Sequence, residues 1–132
     1  MAIRGNITLT DAAATPVNRV YRPYQSNSPG LLIWKDTTQG VFAGQNTLAL
    51  AQRSVSKTAR TNKFSWKLEC PVLEQVAAYG PQAVAYANIG SIELVLHERS
   101  TLQERKDILA QLRDLIDEAI VTAQVQDLDL IY

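Results

Sequence analysis

Lys63-Phe64-Ser65-Trp66-Lys67-Leu68-Glu69-Cys70 alternates polar and apolar residues along its whole length. In an extended chain successive side chains point to opposite faces, so this pattern reads as a strand with one covered face. Phe64, Trp66, Leu68 and Cys70 are expected to face a core, with Ser65, Lys67 and Glu69 facing out. The outward set belongs to a basic stretch. From Ala51 to Leu68 the chain carries Arg53, Lys57, Arg60, Lys63 and Lys67 and no acid. A sheet face that displays cations and hydroxyls suits phosphate and bases. The alternative is a solvated strand pair whose charges serve solubility.

Other strands flank this one. Residues 3–10 are rich in β-branched side chains and run into a turn-like break at residues 11–16, after which residues 17–21 supply a hairpin partner. Pro23 and residues 26–30 punctuate the chain before the short apolar run 31–34, and Gly40 and Gly44 break it again. Residues 47–56 read as a longer strand, joined through Lys57, Thr58, Ala59, Arg60 and Thr61 to the alternating one. Pro71 is expected to end that strand, residues 72–82 to form a loop, and residues 89–97 to alternate once more. Short strands with hairpin-length links predict an antiparallel meander.

The pattern changes at Ser100. Thr101-Leu102-Gln103-Glu104 has the form of a capping box, in which hydroxyl and carboxylate satisfy free amides at a helix start. Apolar residues then recur at Leu102, Ile108, Leu109, Leu112, Leu115, Ile116 and Ile120, three and four apart. A helix to about residue 122 is expected, with a second helical turn through Val125 and Leu128. Strands first and helices last predict an α+β domain with helices on one face of a single sheet. The other face is left for solvent or a ligand.

The 132 residues fit one domain, 1–132, divided into a hairpin (1–22), a sheet (31–97) and helices (101–132). The formal net charge of zero hides segregation: residues 51–68 sum to +5, whereas residues 101–132 hold seven acids against three bases, or −4. Such asymmetry predicts a basic surface able to meet a polyanion. One cysteine, Cys70, excludes an intrachain disulfide and a multi-cysteine metal site, and its place on the apolar side predicts a buried thiol. No apolar run reaches the length of a membrane span, and the first residues do not have the form of a signal peptide, so a cytosol-like site of synthesis is expected.

Chemistry is otherwise sparse. No phosphate loop or metal-ligand spacing occurs, and no cofactor is expected. His97, the single histidine, sits at a strand end and reads as a surface residue. Ser54-Val55-Ser56-Lys57 has serine acyl-enzyme spacing, but such enzymes place it on a helix in a much larger fold. The helix carboxylates read as a solvated face. Enzyme activity is not expected. Trp66 shares a face with Phe64 and Leu68 and reads as core, while Trp34 is left open.

The strand 63–69 resembles the central RNA-contacting strand of the coat proteins of positive-strand RNA bacteriophages, the leviviruses. That strand reads Lys, aromatic, small hydroxyl, apolar, Lys, apolar, Glu, with a proline soon after, as Pro71 is here. Ser100-Thr101-x-x-Glu104-Arg105, Ala123-Gln124-Val125-x-Asp127-Leu128 and the final Ile131-Tyr132 are similar to stretches in one member or another. Length and element order agree with the family: an N-terminal β-hairpin, a five-stranded antiparallel sheet, then two C-terminal helices.

The resemblance implies an interlocked homodimer, assembly into an icosahedral shell, and binding of a hairpin in single-stranded viral RNA for packaging and repression of replicase translation. It implies a virion protein assembled in the host bacterial cytoplasm, with no membrane partner and with room for a maturation protein as a further partner. Residue by residue, it assigns RNA contacts to Ser65, Lys67 and Glu69, to Arg53 on the preceding strand, and to Lys57 and Arg60 in the adjoining loop. Ala49 and Ala51 stand where relatives carry hydroxyls, unless a slipped register brings Thr47 there. Tyr86 and Asn88 match a base-stacking tyrosine and its polar neighbour, whereas a gapless count places Ile89 and Ser91 in those positions. A dimeric RNA-binding regulator of the same fold that does not assemble is the alternative function.

Overall fold

The computed structural model describes residues 4–25, 30–75 and 77–131. Six strands follow in chain order: β1 (Ile7–Thr10), β2 (Asn18–Tyr24), β3 (Leu31–Asp36), β4 (Thr47–Arg53), β5 (Thr61–Gln75) and β6 (Gln82–His97). They lie side by side in that same order, so the N-terminal hairpin and the strands after it make one sheet. Pairing from β1 through β5 is antiparallel throughout. Two helices follow, α1 (Leu102–Asp117) and α2 (Ala119–Asp127). The chain divides into two compact units, one ending at Val95 and one beginning at Leu96. No helix among the described residues is long and apolar enough to cross a membrane.

The sheet unit has a small core. Tyr21, Trp34, Leu48 and Leu50 are buried, with Ile7, Leu32, Phe64, Trp66 and Leu68 packed partly covered against them. The register explains this grouping, because Leu48 lies opposite Leu68, Leu50 opposite Trp66, and Trp34 opposite Leu48. Trp34 is therefore a core residue. Its indole N–H donates to the Gly5 carbonyl at 2.8 Å, and its ring lies 5.6 Å from that of Trp66. Cys70 is half-buried, and desolvation pushes its thiol above the usual range.

A polar clamp fastens the hairpin to β3. Asp36 is 2% exposed and accepts from the Thr38 hydroxyl at 2.6 Å, the Thr38 amide at 3.1 Å and Arg19 Nη1 at 3.3 Å. Arg19 Nε reaches Asp11 at 3.2 Å, and Asp11 also accepts from the amides of Ala13 and Val17 to close the hairpin turn. Burial alone would raise the Asp36 carboxyl, but the Thr38 bonds and Arg19 outweigh it and hold it below its ordinary value.

Several boundaries differ from those expected. β2 runs through Pro23 to Tyr24 and β5 through Pro71 to Gln75. Both prolines lie where the strand has outrun a neighbour: β1 pairing stops at Tyr21 and β4 pairing at Glu69. No ladder bond to that neighbour is lost there, so proline is tolerated. β5 reaching Gln75 and β6 beginning at Gln82 shorten the loop expected over residues 72–82, and among the described residues it is confined to 77–81. β4 stops at Arg53 because the Val55 amide turns to the Asn62 side chain, and Ser56 bonds Ala59 to make the turn. The expected strand start at Ile3, the break at residues 26–29 and the terminal Tyr132 lie outside the described residues.

In the second unit the capping box is formed. Glu104 N–H donates to the Thr101 hydroxyl at 3.3 Å, and Thr101 N–H to the Glu104 carboxylate at 2.7 Å. The helix expected to run to about residue 122 breaks earlier, because Glu118 is extended, with ψ of 139°. Thr122 then donates both its amide and its hydroxyl to the Glu118 carbonyl, starting α2. α2 ends at Leu128 in the left-handed conformation.

Candidate nucleic-acid interface

Pairing of β4 with β5 fixes which side chains share the outward face. Thr47 lies opposite Glu69, Ala49 opposite Lys67, Ala51 opposite Ser65, and Arg53 opposite Lys63. Phe64, Trp66 and Leu68 go to the core, so the lysines and Ser65 occupy the uncovered face. The face continues across β3 and β2 through Leu31, Ile33 and Lys35, then Tyr24 and Arg22. Every residue of this set belongs to the sheet unit.

Like charges directly opposite on a sheet are unfavourable. Arg53 and Lys63 are such a pair. Each is held by a neighbour: Arg53 Nη2 donates to the Thr61 hydroxyl at 3.1 Å, and Lys63 lies 3.2 Å from Glu93 Oε1. Ser65 donates to the same Glu93 carboxylate at 3.5 Å, which places Glu93 on this face. Lys67 and Glu69 form an exposed pair at 3.6 Å, a class of contact worth little in water. Counting Arg22, Lys35, Arg53, Lys63 and Lys67 against Glu69 and Glu93 leaves this face three positive charges in excess. A depression of about 460 Å³ opens beside them, lined by Gly30, Leu31, Ala51, Gln52, Arg53, Lys63 and Ser65. Gly30 has φ of +79°, and a Cβ there would meet the Gln52 carbonyl at 3.2 Å, so glycine keeps this rim closed against β4.

Arg53, Ser65, Lys67 and Glu69 thus come together on one face. Lys57 and Arg60 sit exposed in the loop at its edge. The register is the unslipped one, with alanines beside Ser65 and Lys67 and Thr47 beside Glu69. Tyr86 and Asn88 are exposed on β6 at parity opposite to Glu93, and strict alternation gives its face to Ile89 and Ser91 instead. Three participants were missed in the sequence: Arg22, Lys35 and Glu93. The run containing Lys35 has apolar residues on both faces and offers no alternation to read.

A family model, Levivirus coat protein, matches residues 2–132. This chain belongs to the levivirus coat protein family. Two solved relatives agree over nearly the full length. The virus-like particle of bacteriophage ESE058 is 26% identical with a TM-score of 0.90, covering 99% of this chain and 100% of that one. The virus-like particle of bacteriophage NT-214 is 28% identical with a TM-score of 0.88, at 99% and 100% coverage. The bacteriophage GA protein capsid, at 21% identity and a TM-score of 0.71, covering 93% and 94%, shares the fold. No curated protein matches the chain by sequence. As a levivirus coat protein it is a structural component of the virion and not an enzyme.

Proposed function

We propose that this coat protein dimerises, builds an icosahedral shell and holds single-stranded viral RNA against the β4–β5 face, where hairpin binding would serve packaging and repression of replicase translation. The observation that carries the RNA reading is the separation of faces: Arg53, Lys63, Ser65 and Lys67 on one side, Phe64, Trp66 and Leu68 on the other. A face with excess cations that stays uncovered fits a polyanion.

Dimerisation is supported by apolar surface left open in both units. A groove of about 350 Å³ lined by Leu32, Trp34, Leu50 and Trp66 opens on the core side of the sheet. In the helices Leu109, Leu115, Ile116 and Ile120 are all about half exposed. Surfaces of this kind mark interaction sites, and in the proposed dimer the helices of one subunit cover the sheet of the other. Alanines at 49 and 51 give a base edge nothing to bond, so recognition there rests on shape and on Ser65 and Lys67.

Expression of the chain alone, followed by gradient sedimentation and nuclease treatment, tests this reading. Large particles that protect RNA are expected. A dimer-sized species that still binds RNA would replace the shell with a non-assembling regulator, and particles empty of RNA would remove the RNA role. On the same reading the shell assembles in the host bacterial cytoplasm, with a maturation protein as a further partner.

A further inference from the structure

The uncovered face does not end at β4. Tyr24 on β2 and Phe42 in the 3₁₀ turn Phe42–Gly44 bring their rings to 6.0 Å between centroids, tilted by 49°. Lys35 Nζ stands 4.5 Å from the Phe42 ring and 5.5 Å from the Tyr24 ring. It donates to the Thr47 hydroxyl at 3.1 Å, which leaves two of its N–H groups for an acceptor outside. Both aromatics stay open to solvent, Tyr24 at 44% and Phe42 at 58%. Arg22, exposed and directly opposite Lys35, adds a second cation.

The turn that carries Phe42 is fixed in place. Gly44 packs so tightly on Leu73 that a Cβ would lie 2.4 Å from its Cδ1, and Gln45 N–H closes the turn on the Phe42 carbonyl at 3.2 Å. Lys35 faces Thr47, which faces Glu69, so Lys35 lies two strand spacings, about 10 Å, from β5, and Tyr24, in register with Ile33, Ala49 and Lys67, lies three spacings, about 14 Å, from that lysine. An open aromatic wedge flanked by cations is the arrangement that holds unpaired bases, by ring stacking with phosphates drawn to the charges.

We propose that Tyr24 and Phe42 form a base-stacking subsite for unpaired nucleotides of single-stranded RNA, with Lys35 and Arg22 drawing the adjoining phosphates. The proposal rests on the reading of this face as the RNA side and extends the contact surface to β2 and β3. The competing account is an aromatic pair that merely shields Lys35, and it predicts no change in RNA affinity when the ring is removed.

The test uses the full chain in unassembled form, with fluorescence anisotropy on a short labelled oligoadenylate and on an abasic phosphodiester chain of equal length. Phe42→Ala is expected to weaken oligoadenylate binding about tenfold, the size of one lost stack, with abasic binding and the salt slope unchanged. Phe42→Trp is expected to restore affinity, and Phe42→Leu repeats the loss with the turn's apolar bulk kept. Lys67→Glu is expected to weaken both ligands. Normal oligoadenylate binding by Phe42→Ala and Phe42→Leu, beside weakened Lys67→Glu, overturns the subsite and leaves the RNA face standing. Equal losses on both ligands also overturn it, because stacking would not be the cause. Unchanged binding in every variant, Lys67→Glu included, overturns the RNA face itself.

Discussion

Asp36→Ala removes the centre of the clamp that fastens the hairpin to β3. The carboxylate is 2% exposed and accepts two bonds from Thr38 and one from Arg19. Bonds to a charged group contribute about 1.5–3 kcal/mol each. The Arg19 bond counts least, because that side chain is 39% exposed and regains water and its Asp11 partner when Asp36 is gone. Relief of the carboxylate's own desolvation offsets part of the remainder. The net loss is about 2–4 kcal/mol, which for a chain of this size lowers Tm by on the order of 10 °C.

Thermal unfolding of unassembled protein, at one fixed concentration because association shifts apparent stability, reads this directly. The folded carboxyl lies below its ordinary 3.8. Its contribution is therefore complete above that value and is lost as pH falls through the lowered folded value. The gap between wild type and variant is expected to be full at neutral pH and to narrow in acid below about pH 4. A loss under about 0.5 kcal/mol at pH 7, or a gap that widens in acid, refutes the clamp reasoning.

Lys67→Glu sets a second carboxylate beside Glu69 on an exposed site, so RNA affinity and its salt slope should fall while the protein stays folded, as measured by filter binding across a salt series. Leu112→Asp places a charge at the most covered position from Leu102 to Asp117, and size-exclusion chromatography should show loss of the proposed dimer. Gly30→Ala forces a Cβ into a left-handed residue against the Gln52 carbonyl and should cost about 1–2 kcal/mol in urea unfolding. Thr101→Ala breaks the capping box and should cost about 1 kcal/mol, with helix loss visible by circular dichroism.

The facing of β5 could be read from residues 63–70 because each alternate position carries an unambiguous chemical type. The helix start was equally plain, since Thr101 and Glu104 satisfy each other within four residues. Strand ends were harder. Pro23 and Pro71 punctuate the sequence, yet proline stops a strand only where a neighbour needs its amide, and that depends on pairing no local pattern reveals. The break at Glu118 has no glycine or proline to announce it. Lys35 joins the cationic face from a run whose apolar residues line both sides, and Phe42 joins through a turn that depends on Leu73, some thirty residues away. Tyr86 and Asn88 matched by type, but alternation along β6 favours Ile89 and Ser91 beside Glu93.

Photo-cross-linking of RNA inside nuclease-treated particles, with the attached peptides mapped by mass spectrometry, examines the orientation of the sheet directly. Adducts should concentrate on the segments holding Arg53, Lys63, Ser65 and Lys67, and fall away in Lys67→Glu particles. Adducts on the α1 and α2 segments, with β4 and β5 clean, would mean that the genome meets a different surface of this coat protein.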